Sequence, residues 1–436
     1  MEYLLFVIYL VGFAWLATRI PFFRKADLSK PQLIIVFLLK IIAGIFYGWI
    51  GLYYGGLAQM QDTWTFHYNS IAETDLLRSD PHEYFTNLFK DPYGDGVAKF
   101  FETTDSYWND LKGNIFIKIL SVFNILSGGY YYVNVIFYSF ITLFGSVAIF
   151  RVMDDALPGK RIQIILATFL LPSFLYWGSG LHKEGLIFTG IALVLYCVYF
   201  GMKEKKFGVG RILCTIAGLL LVLTLRNFLI VLLVPALFAW ILANRKPSRG
   251  LAIFSILYVV FIIGFFNARY LNARLDFPQA VVNKQQEFKK LQGGSTIPMK
   301  DLEPTSISFL KNTPQAINLS TIRPYPADVK HILSLAAAIE IDLYILLFIC
   351  MIFWRTNSLD PHSRNLLNFC IFFSVTFLMS IGFSVNNLGA IVRYRSVIMP
   401  LLVIPMIALI DWPRIFRLFS NNIRNKNNVN NSASKA

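Results

Sequence analysis

Long apolar runs recur along almost the whole chain, and one of them, residues 366–384, carries no charged side chain. A helix that crosses a bilayer needs about 20 mainly apolar residues, and only helices or closed barrels satisfy their own backbone groups in hydrocarbon. A barrel reads as short alternating segments, which these runs are not. The expected fold is therefore all-α, a polytopic transmembrane helix bundle. Composition points the same way, since 56% hydrophobic and 15% charged residues is too apolar a mixture for a soluble domain of 436 residues.

About eleven spans are expected, at 3–19, 32–54, 131–151, 162–179, 184–201, 211–225, 228–244, 250–267, 334–354, 365–386 and 394–412. The first run is followed by Arg19, Arg24 and Lys25 with no small-residue cleavage site, so it reads as a retained helix rather than a signal peptide. The net charge of +15 gathers in short loops and in the tail, which is the positive-inside pattern of a multi-pass protein and not a nucleic-acid footprint. Nucleic acid is accordingly not an expected partner. With the amino terminus outside, loops 19–30, 151–161, 203–211, 245–249, 355–364 and the tail from Arg414 fall in the cytoplasm. The expected location is a cell membrane of the bacterial inner-membrane type. Cys197, Cys214, Cys350 and Cys370 all lie within apolar runs, where packing is the ordinary role of a free cysteine.

The bundle is expected to occupy residues 1–412, with two long outer loops at 55–130 and 268–333 and a disordered cytoplasmic tail at 413–436. Within the first loop, 55–113 holds ten acidic and four basic residues and an amphipathic helix around 62–77. The stretch 114–126 is short and carries Lys118 and Asn124, so it reads as an interfacial helix and not a span. No internal repeat is visible, which counts against an inverted-repeat transporter.

Candidate chemistry gathers at the expected outer face. Asp62, in Gln61-Asp62-Thr63-Trp64-Thr65-Phe66-His67-Tyr68, is a candidate general base, with His67 as a second proton carrier and Trp64 and Tyr68 offering aromatic faces to a sugar. The plainer reading of Asp62 is a solvated aspartate at a helix amino terminus. The segment 172–185 ends in Gly180-Leu181-His182-Lys183-Glu184-Gly185, an unusually polar turn whose Lys183 offers a point charge. Residues 212–243 as one helix would run about 48 Å, far beyond a core of about 30 Å. A break is therefore expected at Arg226-Asn227, exposing Arg226 on the outer side. Arg393-Tyr394-Arg395 follows the turn Asn386-Asn387-Leu388-Gly389 and places two arginines outside, against the usual bias. Lys183, Arg226, Arg393 and Arg395 together suit a phosphate or pyrophosphate headgroup; the alternative is general attraction of anionic lipid. No phosphate-binding loop, paired-histidine helix or paired-aspartate nucleotide-sugar motif is present. No metal ligand is assigned, and a divalent cation is left open as a cofactor. Glu340 and Asp342 lie inside a span, the motive for a competing transporter or flippase reading.

This pattern resembles the GT-C superfamily of integral membrane glycosyltransferases. The likeness rests on an early outer loop opening with Asp62 and aromatics, short turns, and arginines at outer tips. The stretches 172–185, Arg226-Asn227, Arg323-Pro324-Tyr325-Pro326 and Arg393-Tyr394-Arg395 also resemble segments of bacterial membrane proteins of this kind. The resemblance implies inverting transfer of a sugar from an outward-facing polyprenyl-phosphate donor to a glycan or protein acceptor. Asp62 would be the base, the cations would hold the leaving phosphate, and the partners would be a lipid-linked sugar and membrane lipids. The paired acids usual in that family reduce here to Asp62, with Asp105 and Asp110 as distant candidates. A polysaccharide polymerase or ligase of the Wzy type is the alternative enzyme, and it would rely on Arg393 and Arg395 instead of Asp62.

Overall fold

The computed structural model describes residues 1–54, 62–94, 99–100, 106–291, 294–356, 359–415 and 417; Asp105 and nearly all of the expected tail lie outside them. The chain opens with α1 (Glu2–Arg19) and α2 (Lys30–Tyr53), and the first long loop carries α3 (Asp62–Ser79) and α4 (Tyr107–Ser127). Next come α5 (Tyr131–Ala156), α6 (Arg161–Phe169), α7 (Pro172–Ser179), α8 (Lys183–Lys203), α9 (Val209–Leu225), α10 (Phe228–Arg245) and α11 (Gly250–Asn267). The second long loop carries α12 (Phe277–Lys290) and α13 (Ser306–Ile317), before α14 (Ile332–Phe353), α15 (Pro361–Ser384), α16 (Leu388–Ser396) and α17 (Met399–Leu409). Among the described residues there is no strand, only two isolated bridges. The protein is an all-α polytopic bundle.

Among the described residues eight helices are long and apolar enough to cross a membrane, or ten spans if the bent pairs α6–α7 (48°) and α16–α17 (67°) each count as one. The shorter apolar helix α9, of 17 residues, stands where the sequence places one more. Both bends have a local cause: Pro172 and Pro400 sit in the first turns of α7 and α17, and a proline ring cannot follow an uninterrupted helix. The last helical stretch therefore starts earlier than the expected 394, at Leu388, so that Arg393 joins Arg395 inside a helix. The α9–α10 break falls at Arg226-Asn227, as the length argument requires, with the Asn227 side chain accepting from the Phe228 amide to start α10.

Helix α5 forms the centre of the bundle, with 89% of its apolar window buried, whereas α1 and the segment around α11 are 11% and 6% buried. The exposed face of α11, including Ile256, Val259, Ile262 and Ile263, is stable only against hydrocarbon. Helix α4 is not among the spanning candidates. Its Lys118 pairs with Glu73 of α3 at 2.5 Å, and its Asn124 donates to Ser70 and Thr74 at 2.9 and 3.2 Å. The polar residues that argue against a span are thus the ones that fasten α4 to α3.

The connections sort into two ends. At one end, Arg161 reaches the backbone of Ala26 and Asp27, Lys203 pairs with Asp155 at 2.6 Å, and Ser363 donates to the Ala156 carbonyl. His362 meets Asn244 there as well. These contacts join the basic loops to one another, and Arg355 of the last of them bridges to Ile410, just before the tail. At the other end the two long loops fold over the turns at 180–183, 226–227 and 385–388.

Candidate functional site

The site is built where four chain breaks meet. The turn between α7 and α8 is tight because Gly180 lies against the Tyr47 ring of α2 and Gly185 against the Gly178 carbonyl and Tyr138; a Cβ at either position would overlap its neighbour. Thr63, in the first turn of α3, bonds to Tyr131 at 2.6 Å and to the Leu181 carbonyl at 3.1 Å. That fastens the acidic loop onto the same turn. The second loop is pinned by Ile297 donating to the Asn386 carbonyl at 2.8 Å and Leu388 donating to the Ser295 carbonyl at 3.1 Å, immediately before α16.

The result is one continuous polar cluster. Arg393 of α16 donates to Asp62 at 3.0 Å, and Arg226 donates to Glu184 at 2.8 Å, with the Arg393 Nε 3.6 Å from the same Glu184 oxygen. His182 links the two carboxylates: its Nδ1 is bonded to Glu184, and its Nε2 lies 3.7 Å from Asp62 Oδ2. Tyr394 runs between the arginines, whose guanidinium carbons are 4.3 and 5.1 Å from its ring centroid. The side chains of His182 and Glu184 are 4% and 1% exposed, whereas that of Asp62 is 48% exposed, so Asp62 is the open end. Burial pushes the Asp62 carboxyl up, but His182 and Arg393 outweigh it and hold the group down at about 2.

Among the described residues positive charge exceeds negative here. Lys183 makes no ion pair among the described residues and rests over the Phe66 ring at 5.1 Å. The buried Arg226 Nη1 has no hydrogen-bond partner there either. Lys112 of α4 is pushed down to about 7, first by burial and then by Lys284, Lys183 and Arg226, with Glu287 as the attractive charge. Five cations from five elements therefore share the neighbourhood with Asp62, Glu184 and Glu287.

Of the residues singled out by sequence, the structure brings together Asp62, Lys183, Arg226 and Arg393. It does not bring in Arg395, which is buried on the far side of α16 and donates to the Arg323 carbonyl at 2.6 Å and the Ser320 carbonyl at 3.5 Å. Two residues apart on a helix means nearly opposite faces. His67 is also elsewhere: it is buried beside Trp64 and Tyr131 and pushed down by burial to about 4. Trp64 stacks on Tyr131 at 4.1 Å and donates to the Gly48 carbonyl at 2.8 Å, and Tyr68 faces outward. The aromatic ring that α3 does give to the site is Phe66, one helical turn after Asp62. Glu184, next to Lys183 in the chain, pairs with Arg226 and His182. His182, Glu184, Phe66, Lys112, Lys284 and Tyr394 are the members that the sequence reading missed. Asp110 is engaged with the Tyr93 hydroxyl at 2.9 Å.

An apolar cavity of about 370 Å³ adjoins the cluster, between α2, α7, α14 and α16. Phe46, Leu175, Trp177, Ala336 and Val392 line it, and Trp177 is shared, with the Arg393 guanidinium 6.0 Å over its ring. At the cavity wall Glu340 accepts from the Ser173 amide and hydroxyl at 3.0 and 3.1 Å and from Tyr344 at 2.5 Å. It thereby secures the amino terminus of α7, while Asp342 is exposed on α14. Among the described residues no group of three or more His, Cys, Asp or Glu side chains is arranged to hold a metal ion. No protein-family model matches the chain, and neither does any curated sequence or solved structure.

Proposed function

We propose that the protein is a membrane glycosyltransferase that moves a sugar from a polyprenyl-phosphate donor to a glycan or protein acceptor on the non-cytoplasmic face of a bacterial inner membrane. The observation that carries this reading is the excess of positive charge, among the described residues, around Arg226, Lys183 and Lys112, beside a half-exposed Asp62 and an apolar cavity. Guanidinium and ammonium groups in excess of their carboxylates suit a phosphate leaving group. An apolar cavity sharing Trp177 with Arg393 suits the hydrocarbon end of the same molecule. Asp62 stands at the opening, where an acceptor hydroxyl would arrive.

The experiment is to express Asp62→Asn and Arg226→Ala full-length variants in the producing cell and follow both its surface glycan and its lipid-linked sugars. Loss of glycan with accumulation of lipid-linked sugar is expected from each. Normal glycan from both variants would overturn the reading. Normal glycan from Asp62→Asn alone, with loss from Arg393→Ala, would instead select the Wzy-type polymerase or ligase.

A further inference from the structure

His182 is placed between two carboxylates and an arginine in a way that a simple structural tie does not need. Its Nδ1 is bonded to Glu184, which is itself held by Arg226 at 2.8 Å. Its Nε2 lies 3.5 Å from Arg393 Nη1 and 3.7 Å from Asp62 Oδ2. An arginine only donates and a carboxylate only accepts. Nε2 therefore has an N–H to accept from when the ring is neutral and an oxygen to donate to when the ring is protonated. Glu184 accepts from Nδ1 in both states, which fixes the tautomer. The other elements packed on the ring supply Tyr47 of α2, Phe66 of α3 and Tyr138 of α5, whose hydroxyl donates to the His182 carbonyl. The titratable and charged groups facing His182 are thus Asp62, Glu184, Arg393, Tyr47 and Tyr138, with Arg226 behind Glu184 and Lys183 turned toward Phe66.

We propose that His182 receives, through Asp62, the proton that the acceptor hydroxyl gives up, and that Glu184 is the positioning residue that orients it. This rests on the sugar-transfer reading. In the step, the acceptor O–H bond breaks and its oxygen forms the new bond to the anomeric carbon. The bond from that carbon to the phosphate oxygen breaks, and its electron pair leaves with the phosphate held by Arg226, Lys183 and Arg393. The proton passes from the hydroxyl to Asp62 Oδ2 and on to His182 Nε2, leaving an imidazolium between two carboxylates. Arg393 donates to Asp62 at 3.0 Å whatever the state of the ring, so Asp62 keeps a proton poorly on its own and a receiver behind it lets the step run forward.

The test uses membrane vesicles from producing cells that carry the full chain, with their own lipid-linked sugars and acceptors as substrates, and measures glycan formed against pH. The wild-type rate is expected to rise with pH and level off. His182→Asn is expected to lose about 10²-fold or more at the plateau and to flatten the profile. Glu184→Gln is expected to keep the rise but shift it to lower pH, because a neutral amide no longer favours the imidazolium. Wild-type rate and profile in His182→Asn, with Asp62→Asn inactive, would overturn the role of His182 and leave the sugar-transfer reading standing. Full product from both Asp62→Asn and Arg226→Ala would instead remove that broader reading. A second measurement does not depend on the variants folding: nitrogen-15 NMR of histidine-labelled full-length protein, which has five histidines. A His182 ring with its neutral-state proton on Nδ1, facing Glu184, is expected. A ring protonated on Nε2 when neutral would overturn the proposal.

Discussion

A half-buried ammonium that faces more cations than carboxylates holds its own proton weakly, and among the described residues Lys112 is in that position, pushed down to about 7. A polyanion at the site would reverse the balance, favour the charged amine and raise the group again. The sign follows: binding takes up a proton, so affinity is highest below about 7 and falls as pH rises through it. Titration calorimetry of the purified full chain with inorganic pyrophosphate, in two buffers of different ionisation enthalpy, should show this uptake near neutral pH. Relative to Lys112→Met, which cancels the titration of pyrophosphate itself, affinity should fall by up to about tenfold per pH unit above about 7. Equal pH dependence in the two proteins would remove Lys112 from the site. None of this was visible from the sequence, where Lys112 is a single cation in an acidic loop. What the sequence did offer was helix geometry: Phe66 lies four residues after Asp62, and Arg393 and Arg395 are two apart. The first pair shares a face and the second cannot. A span taken to begin at 394 leaves Arg393 outside the helix, so the rule cannot be applied to this pair until the start at Leu388 is known.

The breaks are what turn separate helices into a site. Each of the turns α7–α8, α9–α10 and α15–α16 ends a helix within reach of the others, and each delivers one charged group: Glu184, Arg226 and Arg393. The α9–α10 break was legible because one helix of that length overshoots a bilayer, and the turn before α8 was legible from its glycines. Their convergence was not, since the order of helices around a bundle leaves no mark on spacing. Arg395 shows how the same elements also need support. Buried at 2% exposure, it ties α16 to the carbonyls of Ser320 and Arg323 at the end of the second loop. Removing it would leave buried acceptors unsatisfied, at roughly 1–3 kcal/mol each. Arg395→Ala should therefore lower the thermal unfolding midpoint of the detergent-purified protein and speed proteolysis within 294–330. Arg395→Lys should rescue little, because a single ammonium does not reproduce the guanidinium fork. Binding of pyrophosphate by whatever fraction remains folded should be unchanged. A variant as stable as wild type that has lost pyrophosphate binding would place Arg395 in the site after all.

Across the whole molecule, the two ends differ in what they gather. One collects the basic loops through contacts such as Arg161 with the Asp27 backbone and Lys203 with Asp155. The other collects both long loops and the cluster of Asp62, His182, Glu184, Arg226 and Arg393. The sequence could announce this division because loop charge is a local property, read one connection at a time, and retained loop cations favour the cytoplasmic side. On that rule the cluster is expected on the opposite face, where its cations would run against the usual bias. Sidedness is open to direct measurement. With Cys197, Cys214, Cys350 and Cys370 replaced by alanine, single cysteines at Tyr68, Leu271 and Lys206, all exposed, can be probed with a membrane-impermeant thiol reagent. Tyr68→Cys and Leu271→Cys should label in spheroplasts with intact inner membranes, and Lys206→Cys only after permeabilisation. The reverse pattern would put Asp62 and its cations in the cytoplasm, where soluble nucleotide sugars are at hand. A site with an apolar cavity and no nucleotide motif would then have no reason to prefer a lipid-linked donor, so this one result governs which substrates are worth testing at the residues above.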